Sequence, residues 1–215
     1  MLKVIKSGER YHADMGWLST YWHFSFADYH DPANTSWGPL RVFNDDVIQP
    51  GKGFGAHPHS DMEIITYVLE GELEHQDNQG NRGVIHPGEV QVMSAGTGIV
   101  HSEYNHSKSH PVHLLHIWIM PRTRGAKPRW DQRRFGPADR SGKLLPVVSG
   151  GEAPETLTID QDAKAWADQI AKDRASLNKK IQQARTLART ADELCKKGDS
   201  AGATAKAKEA MDVLK

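Results

Sequence analysis

Two short pairs of polar side chains constrain this chain more than any other feature of its sequence. His57 and His59 form the first pair, and His101 and Glu103 form the second, each at positions i and i+2. Residues two apart on an extended strand lie on the same face. Strand-like segments and turns fill the stretch between the pairs. If these segments close into a barrel, three imidazoles and one carboxylate can converge on one point and hold a divalent metal ion.

The first 150 residues have the pattern of an antiparallel β protein. Short runs rich in β-branched and aromatic residues alternate with turn signals such as Pro50-Gly51 and Pro87-Gly88. In these turns Pro presets φ and Gly accepts a positive φ. The almost entirely apolar stretch 112–120 indicates a strand in the core. Many short strands at this spacing predict a mainly β fold of the jelly-roll type.

The composition changes after Gly150, which predicts three regions. We expect a β-barrel domain over residues 1–150 and a linker or remnant strand over residues 151–164. Over residues 165–215, Ala and charged residues dominate and β-branched residues almost vanish. Apolar residues recur there at intervals of three, four and seven, which is typical of an amphipathic helix.

The tail contains a stop signal and a start signal for helices. Lys196-Lys197-Gly198 places cations in a last helical turn and a glycine at its cap. Asp199 or Ser200 can then cap a second helix that runs from Ala201 to Leu214. The sequence therefore predicts a C-terminal helical pair, arranged as an α-helical hairpin.

Charge and hydropathy exclude several classes of partner. The chain has 27 Lys plus Arg and 27 Asp plus Glu, so no global field attracts nucleic acid or a membrane surface. We find no run long and apolar enough for a transmembrane helix and no signal peptide. The single cysteine, Cys195, cannot form an internal disulfide. We therefore expect a cytoplasmic protein. The basic stretch 122–134 is interpreted as an exposed loop and not as a nucleic-acid patch.

Longer motifs surround the two pairs. The spacing Gly-x5-His-x-His-x3-Glu over residues 51–63 and Gly-x5-Ser-x-Gly-x4-His-x3-Asn over residues 88–105 is close to the two cupin motifs. The blocks FGAHPHSDMEIITYVLEGELEHQDNQGN, VMSAGTGIVHSEYN and HLLHIWIMP resemble the signature segments of the pirin family, a branch of the cupins. The resemblance runs from about residue 16 to residue 162 and is strongest to bacterial pirin-like quercetin 2,3-dioxygenases.

This resemblance implies a cupin barrel and a specific ligand set. Pirins carry a second cupin domain, and in this chain the helical tail stands in its place. The implied metal ligands are His57, His59, His101 and Glu103, whereas Glu63 would not bind the metal. The resemblance favours Fe(II), although imidazole and carboxylate ligands also suit Zn, Ni, Mn and Co. The implied reaction opens the ring of a flavonol such as quercetin with O2. Glu103, the only anionic ligand, is the natural catalytic base for the 3-hydroxyl proton.

Other polar and aromatic residues receive more ordinary interpretations. We interpret the following as structural or exposed: His75, His86, His106, His110, His113 and His116. His113 and His116 are three apart and cannot share a strand face, so we do not expect both in the site. Four further side chains are expected to line the barrel, with core packing favoured over substrate contact: Phe54, Tyr67, Met93 and Trp118.

Alternatives to the enzyme remain open at this point. Pirins also act as redox-sensitive partners of transcription factors or metabolic enzymes, so the resemblance allows, as a second hypothesis after the dioxygenase, a non-enzymatic metal-sensing or redox-sensing regulator with a protein partner. A site that binds metal but is catalytically silent is a third possibility. Without the second cupin domain an apolar barrel face would be exposed. We therefore expect a homo-oligomer formed through the tail or through that face.

Overall fold

Short strands separated by turns build the larger of two compact units in the chain, residues 5–164; the other unit contains the tail. The computed structural model describes residues 5–141, 145–153, 155–161, 183, 186–187, 189–194, 196 and 199–213. The strands are β1 (Tyr11–Asp14), β2 (Leu18–Trp22), β3 (Leu40–Ile48), β4 (Gly53–His59), β5 (Glu63–Glu70), β6 (Leu73–Asp77), β7 (Arg82–Ile85), β8 (Glu89–Ser94), β9 (Ile99–Asn105), β10 (Val112–Ile119), β11 (Arg129–Arg134), β12 (Val148–Ser149) and β13 (Leu157–Thr158).

Two antiparallel sheets form the barrel. The larger has seven strands in the order β1-β2-β3-β10-β5-β8-β11, and the smaller has four in the order β4-β9-β6-β7. Their inner faces share an apolar cluster whose members are Leu18, Ile48, Val68, Leu73, Ile85, Val112 and Leu114. Because this cluster draws on strands of both sheets, the sheets pack face to face as in a jelly roll. The predicted mainly β, jelly-roll fold is confirmed.

The outer face of the larger sheet is covered by the chain that follows β11 and a short helix, α1 (Pro137–Arg140). Strands β12 and β13 pair in parallel there. Leu157 and Ile159 pack against Ile65, Val92 and Phe135 in a second apolar cluster. The segment that we expect to be a linker or remnant strand therefore packs on the barrel sheet. The division at residues 150 and 164 stays a prediction.

The basic stretch 122–134 is only partly the loop that we expect. Residues 129–134 form β11, an edge strand that pairs with β8, so the prediction of a loop is wrong for these residues. Inward-facing side chains hold the strand in place. Trp130 Nε1 donates to Gln91 Oε1 over 2.8 Å, and Gln132 Nε2 donates to the Val84 carbonyl over 2.9 Å.

In the tail, helix α2 spans Ser200–Val213, which confirms the second predicted helix. The Gly202 N–H donates to Asp199 Oδ1 over 2.9 Å, so Asp199 is the predicted N-cap. Residues 189–194 are helical, but most of the first predicted helix lies outside the described residues. No helix in the described part of the chain is long and apolar enough to cross a membrane.

Candidate metal centre

The alternation of strand β9 points the second polar pair into the barrel. His101 and Glu103 are 2% and 3% exposed, whereas Val100 and Tyr104, which flank the pair, face outward. Strand β4 pairs with β9 so that His57 lies directly opposite His101. The spacing of two residues therefore does bring the two pairs to one region of the interior.

Three imidazole rings converge at this point. Ring centroids are 4.4 Å apart for His57 and His101, 4.8 Å for His57 and His59, and 5.0 Å for His59 and His101. One nitrogen of each ring lies within 4.8 Å of the others, a separation that one ion can bridge. The buried Nε2 atoms of His59 and His101 have no hydrogen-bond partner among the described residues. Unpartnered nitrogens of this kind fit a divalent metal ion.

The rings are in the form that binds a metal. Burial lowers the pKa of His59 and of His101 to about 4, against the opposing charge of Glu103. Both imidazoles are therefore neutral at pH 7, as a metal ligand must be. His57 Nδ1 lies 2.7 Å from the Gly55 carbonyl. Nδ1 therefore donates to the backbone and the ring keeps Nε2 free for a ligand bond.

Glu103 belongs to a second group of potential ligands, which it forms with His75 and His101. Its Oε2 lies 3.2 Å from His116 Nε2, and Thr66 Oγ1 donates to its Oε1 over 3.4 Å. Burial alone would raise the pKa of Glu103, but the charge of His116 outweighs burial and holds it well below the usual range. The side chain is therefore a carboxylate at neutral pH.

Glu63 lies apart from both groups of potential ligands, as we expect from the resemblance. Ser94 Oγ donates to its Oε2 over 2.6 Å, and Arg129 Nη2 lies 3.9 Å from the same oxygen. Burial raises the pKa of Glu63. The carboxyl is thus engaged with the β8 and β11 side of the larger sheet rather than with the histidines.

His116 lies in the site, contrary to the expectation that it is structural or exposed. It is 6% exposed, and its Nδ1 lies 2.7 Å from Asp46 Oδ2. Burial lowers its pKa, but the Glu103 and Asp46 carboxylates outweigh burial and raise it to about 10. His116 is therefore a buried cation between two carboxylates. Val112, Leu114 and His116 alternate as buried residues along β10. The other face also carries apolar residues such as Leu115 and Ile117, so the sequence contains no signal that marks the inward face.

His75 is a second residue of the site that the sequence interpretation does not place there. It is completely buried, and its Nδ1 lies 3.4 Å from His101 Nδ1. The remaining histidines of this interpretation lie outside both groups of potential ligands; they are His86, His106, His110 and His113. His113 Nε2 contacts Asp45 Oδ1 over 2.7 Å on the outer side of β10, so only one of His113 and His116 faces inward.

An aromatic cavity of about 290 Å³ lies beside the cluster. The four predicted ligands, Asp46 and His116 line it, together with aromatic side chains that include Trp17, Trp22, Phe26, Phe54 and Trp118. A mostly apolar cavity with a few polar groups at one end is typical of a small-molecule site. Phe54 and Trp118 line the barrel interior, as predicted, and the preference for core packing over substrate contact stays a prediction. Met93 is buried in the core, whereas Tyr67 packs on the outer apolar cluster, so the prediction that Tyr67 lines the barrel is wrong.

An antiparallel β-barrel that gathers histidines and a carboxylate around an aromatic cavity defines a protein of the cupin class. The family model described as Pirin matches residues 5–119. The chain belongs to the pirin family.

Sequence relatives and solved structures agree with this assignment. Quercetin 2,3-dioxygenase of Escherichia coli K12 is 49% identical over 178 residues, which are 83% of this chain and 76% of that protein. A pirin-like protein of Caulobacter vibrioides is 52% identical over 153 residues, 71% of this chain and 66% of that protein. The crystal structure of the bacterial pirin YhhW from Escherichia coli in complex with nickel(II) is 50% identical, with a TM-score of 0.66. The match covers 73% of this chain and 66% of that one.

Proposed function

We propose that this protein is a metal-dependent dioxygenase that opens the ring of a flavonol such as quercetin with O2. The proposed ligands are His57, His59, His101 and Glu103. The observation that carries the proposal is the convergence of three imidazoles, with buried Glu103 beside them, at one end of an aromatic cavity. The name of the Escherichia coli relative supports the choice of substrate.

The ligand set suits several metals. Imidazole and carboxylate donors accept Fe(II), Ni(II), Co(II), Mn(II) and Zn(II), and we propose Fe(II) as the resident ion. A bound ion would supply the Lewis acidity and the redox chemistry that a reaction between a flavonol and O2 requires. The related YhhW was solved in complex with nickel(II), which supports a divalent metal in this protein.

The protein's own groups would bind the flavonol and accept its proton. The rings of Phe54 and Trp118 line the cavity and would orient a planar ring system while excluding water. Glu103 is ionised, so it can accept the 3-hydroxyl proton of the flavonol. His116 lies against its Oε2 and would keep the carboxylate turned toward the cavity.

The cavity is also the reason for preferring the enzyme to the regulator. A regulatory metal site needs a surface that reports the state of the metal to a partner protein. An interior cavity lined with aromatic side chains is instead what a small aromatic substrate requires. The regulator hypothesis has no observation of its own in its favour among the described residues.

The proposed function is tested by quercetin turnover. Iron-loaded protein should consume quercetin. The loss of quercetin's near-ultraviolet absorption band measures this turnover. Glu103→Gln should lower the rate at least 100-fold, because a neutral amide cannot take the proton, and general bases contribute roughly 10²- to 10⁴-fold. Metal content measured on the same samples separates loss of the base from loss of the ion.

A matched control uses Glu63→Gln, which neutralises a buried carboxyl outside the cluster. This variant should keep both its metal and its turnover. Wild-type protein that leaves quercetin unchanged when loaded with each of the five metals named above would contradict the proposed function.

A further inference from the structure

Strand β6 places a third polar pair, His75 and Asp77, against the predicted ligands. In the register between β6 and β9, His75 lies opposite Glu103, and Asp77 lies opposite His101. The side chains of His75 and Asp77 are both completely buried. They share the spacing of two residues that characterises the ligand pairs, so both point into the barrel.

Asp77 is held as a hydrogen-bond acceptor. Its Oδ1 accepts the N–H groups of Gln79 and Asn81 over 2.9 and 3.0 Å, and its Oδ2 accepts Asn81 Nδ2 over 2.9 Å. Burial raises the pKa of Asp77, but the hydrogen bonds from Asn81 and His75 outweigh burial and lower it. An ionised carboxylate only accepts hydrogen bonds. His75 Nε2, 3.2 Å from Asp77 Oδ2, must therefore be the donor.

The chain of donors and acceptors continues to His101. In the tautomer whose single proton is on Nε2, the one that donates to Asp77, the His75 ring accepts at Nδ1. His101 Nδ1 lies 3.4 Å from that atom and consequently carries the proton. The lone pair of His101 is then on Nε2, the buried atom without a hydrogen-bond partner among the described residues.

We propose that His75, anchored by Asp77, is a positioning residue that fixes the tautomer of His101 and so presents His101 Nε2 to the metal. This inference rests on the proposed metal site and adds to it a residue that does not bind the metal. His57 obtains the same orientation from a backbone carbonyl, that of Gly55. His101 instead depends on a side chain, because β9 lies between two other strands and its carbonyls serve the sheet.

The His75 ring is itself held in place. Trp130 stacks on it with ring centroids 5.7 Å apart and ring planes at 22°, and Trp130 Nε1 donates to Gln91 Oε1. Gly83 lies opposite His75 on β7, and a Cβ there would come within 2.9 Å of the Trp130 ring. A glycine at this position therefore leaves the space in which the indole covers His75.

Two variants and one spectrum test the proposal. His75→Gln keeps one donor and one acceptor, whereas His75→Leu keeps bulk and loses both. We expect His75→Leu to weaken Ni(II) binding, measured by calorimetry, by roughly 10- to 100-fold, as is typical for loss of an outer-shell partner. His75→Gln should restore most of that affinity. His106→Leu removes an exposed imidazole paired with Glu74 and should leave the affinity unchanged.

The tautomer can be read directly in the metal-free protein. A long-range ¹H–¹⁵N correlation spectrum of the imidazole rings should show His101 protonated at Nδ1 in the wild type and a mixture of tautomers in His75→Leu. This measurement on the wild type needs no variant, so it remains decisive if a variant does not fold.

The outcomes separate this inference from the proposed function. Wild-type His101 protonated at Nε2, or equal affinity for Ni(II) in His75→Leu and the wild type, would overturn it. An equal loss of affinity in the Gln and Leu variants would also overturn it, because His75 would then act as a ligand, as the second group of potential ligands allows. A wild type that shows the expected tautomer and loses Ni(II) affinity in His75→Leu, but turns over no quercetin with any of the five metals, would support the positioning role and refute the proposed function.

Discussion

Two buried carboxylate–histidine pairs flank the predicted ligands. Asp46 holds His116, which lies against Glu103, and Asp77 holds His75, which lies against His101. Burying such polar groups is costly unless each one is paired. The two pairs satisfy that requirement, and each also contacts one of the predicted ligands.

The Asp46 pair should contribute to stability far more than a neighbouring surface pair. Asp46 is 2% exposed and also accepts a hydrogen bond from Thr20 Oγ1. We expect Asp46→Asn to lower the free energy of unfolding of the metal-free protein by about 3 kcal/mol, because it leaves a buried imidazolium short of one partner. Urea denaturation, followed by tryptophan fluorescence, measures the change.

Asp45 provides the matched control, since it is the adjacent residue on the opposite face of β3. Its carboxylate contacts Arg10 over 2.8 Å and His113 over 2.7 Å, and its side chain is 23% exposed. Asp45→Asn should cost less than about 1 kcal/mol, as partly exposed ion pairs do. Equal losses in the two variants would show that the Asp46 pair has no special role.

For the strands, the sequence predicts which side chains face into the barrel better than it predicts which strands pair. The period of two along β4 and β9 puts both members of each polar pair on one strand face, and the pairing of β4 with β9 then brings His57 opposite His101. The same alternation buries Asp46 on β3 and His116 on β10. Their meeting depends on the pairing of β3 with β10, and local spacing contains no information about such distant pairing.

The segment after β11 is a second case in which long-range packing decides. Its sequence contains one strand-like run, which predicts a linker or remnant. In the structure Leu157 is 2% exposed in the apolar cluster on the outer face of the larger sheet. Its backbone N–H also donates to the Val147 carbonyl over 2.9 Å. No local pattern predicts this docking, because it depends on the shape of a sheet formed by other strands.

Truncating Leu157 tests whether this segment stabilises the barrel. Leu157→Ala should lower the free energy of unfolding by about 3 kcal/mol, through lost burial and the cavity left behind. Leu69→Ala is the matched control, since Leu69 lies in β5 of the same sheet and is 36% exposed. It should change stability by only about 0.5 kcal/mol. A Leu157 variant as stable as the control would assign residues 151–164 to a linker.

In the whole molecule, one apolar face of the barrel is covered and is not available as an oligomer interface. The apolar outer face of the larger sheet packs against side chains of the segment after β11, among them Leu157 and Ile159. Exposed apolar side chains remain on the barrel, among them Val100 and Tyr104 on the outer face of β9, but scattered ones are normal in a monomer. We therefore expect the oligomer to form through the tail rather than through the barrel face. Short Ala-rich helices such as α2 gain most of their stability from packing against a partner surface.

Light scattering on a size-exclusion column tests this prediction. We expect the full chain to elute with twice the mass of one protomer, and a variant that ends at residue 164 to elute as a monomer.

A truncated chain that stays dimeric would place the contact on the barrel, and Val100→Ser with Tyr104→Ser should then dissociate it. A stable interface buries about 800 Å² on each partner, so the mass should not fall on tenfold dilution. A full-length chain with the mass of one protomer at every concentration would refute the prediction, since neither the tail nor the barrel face would then be an interface.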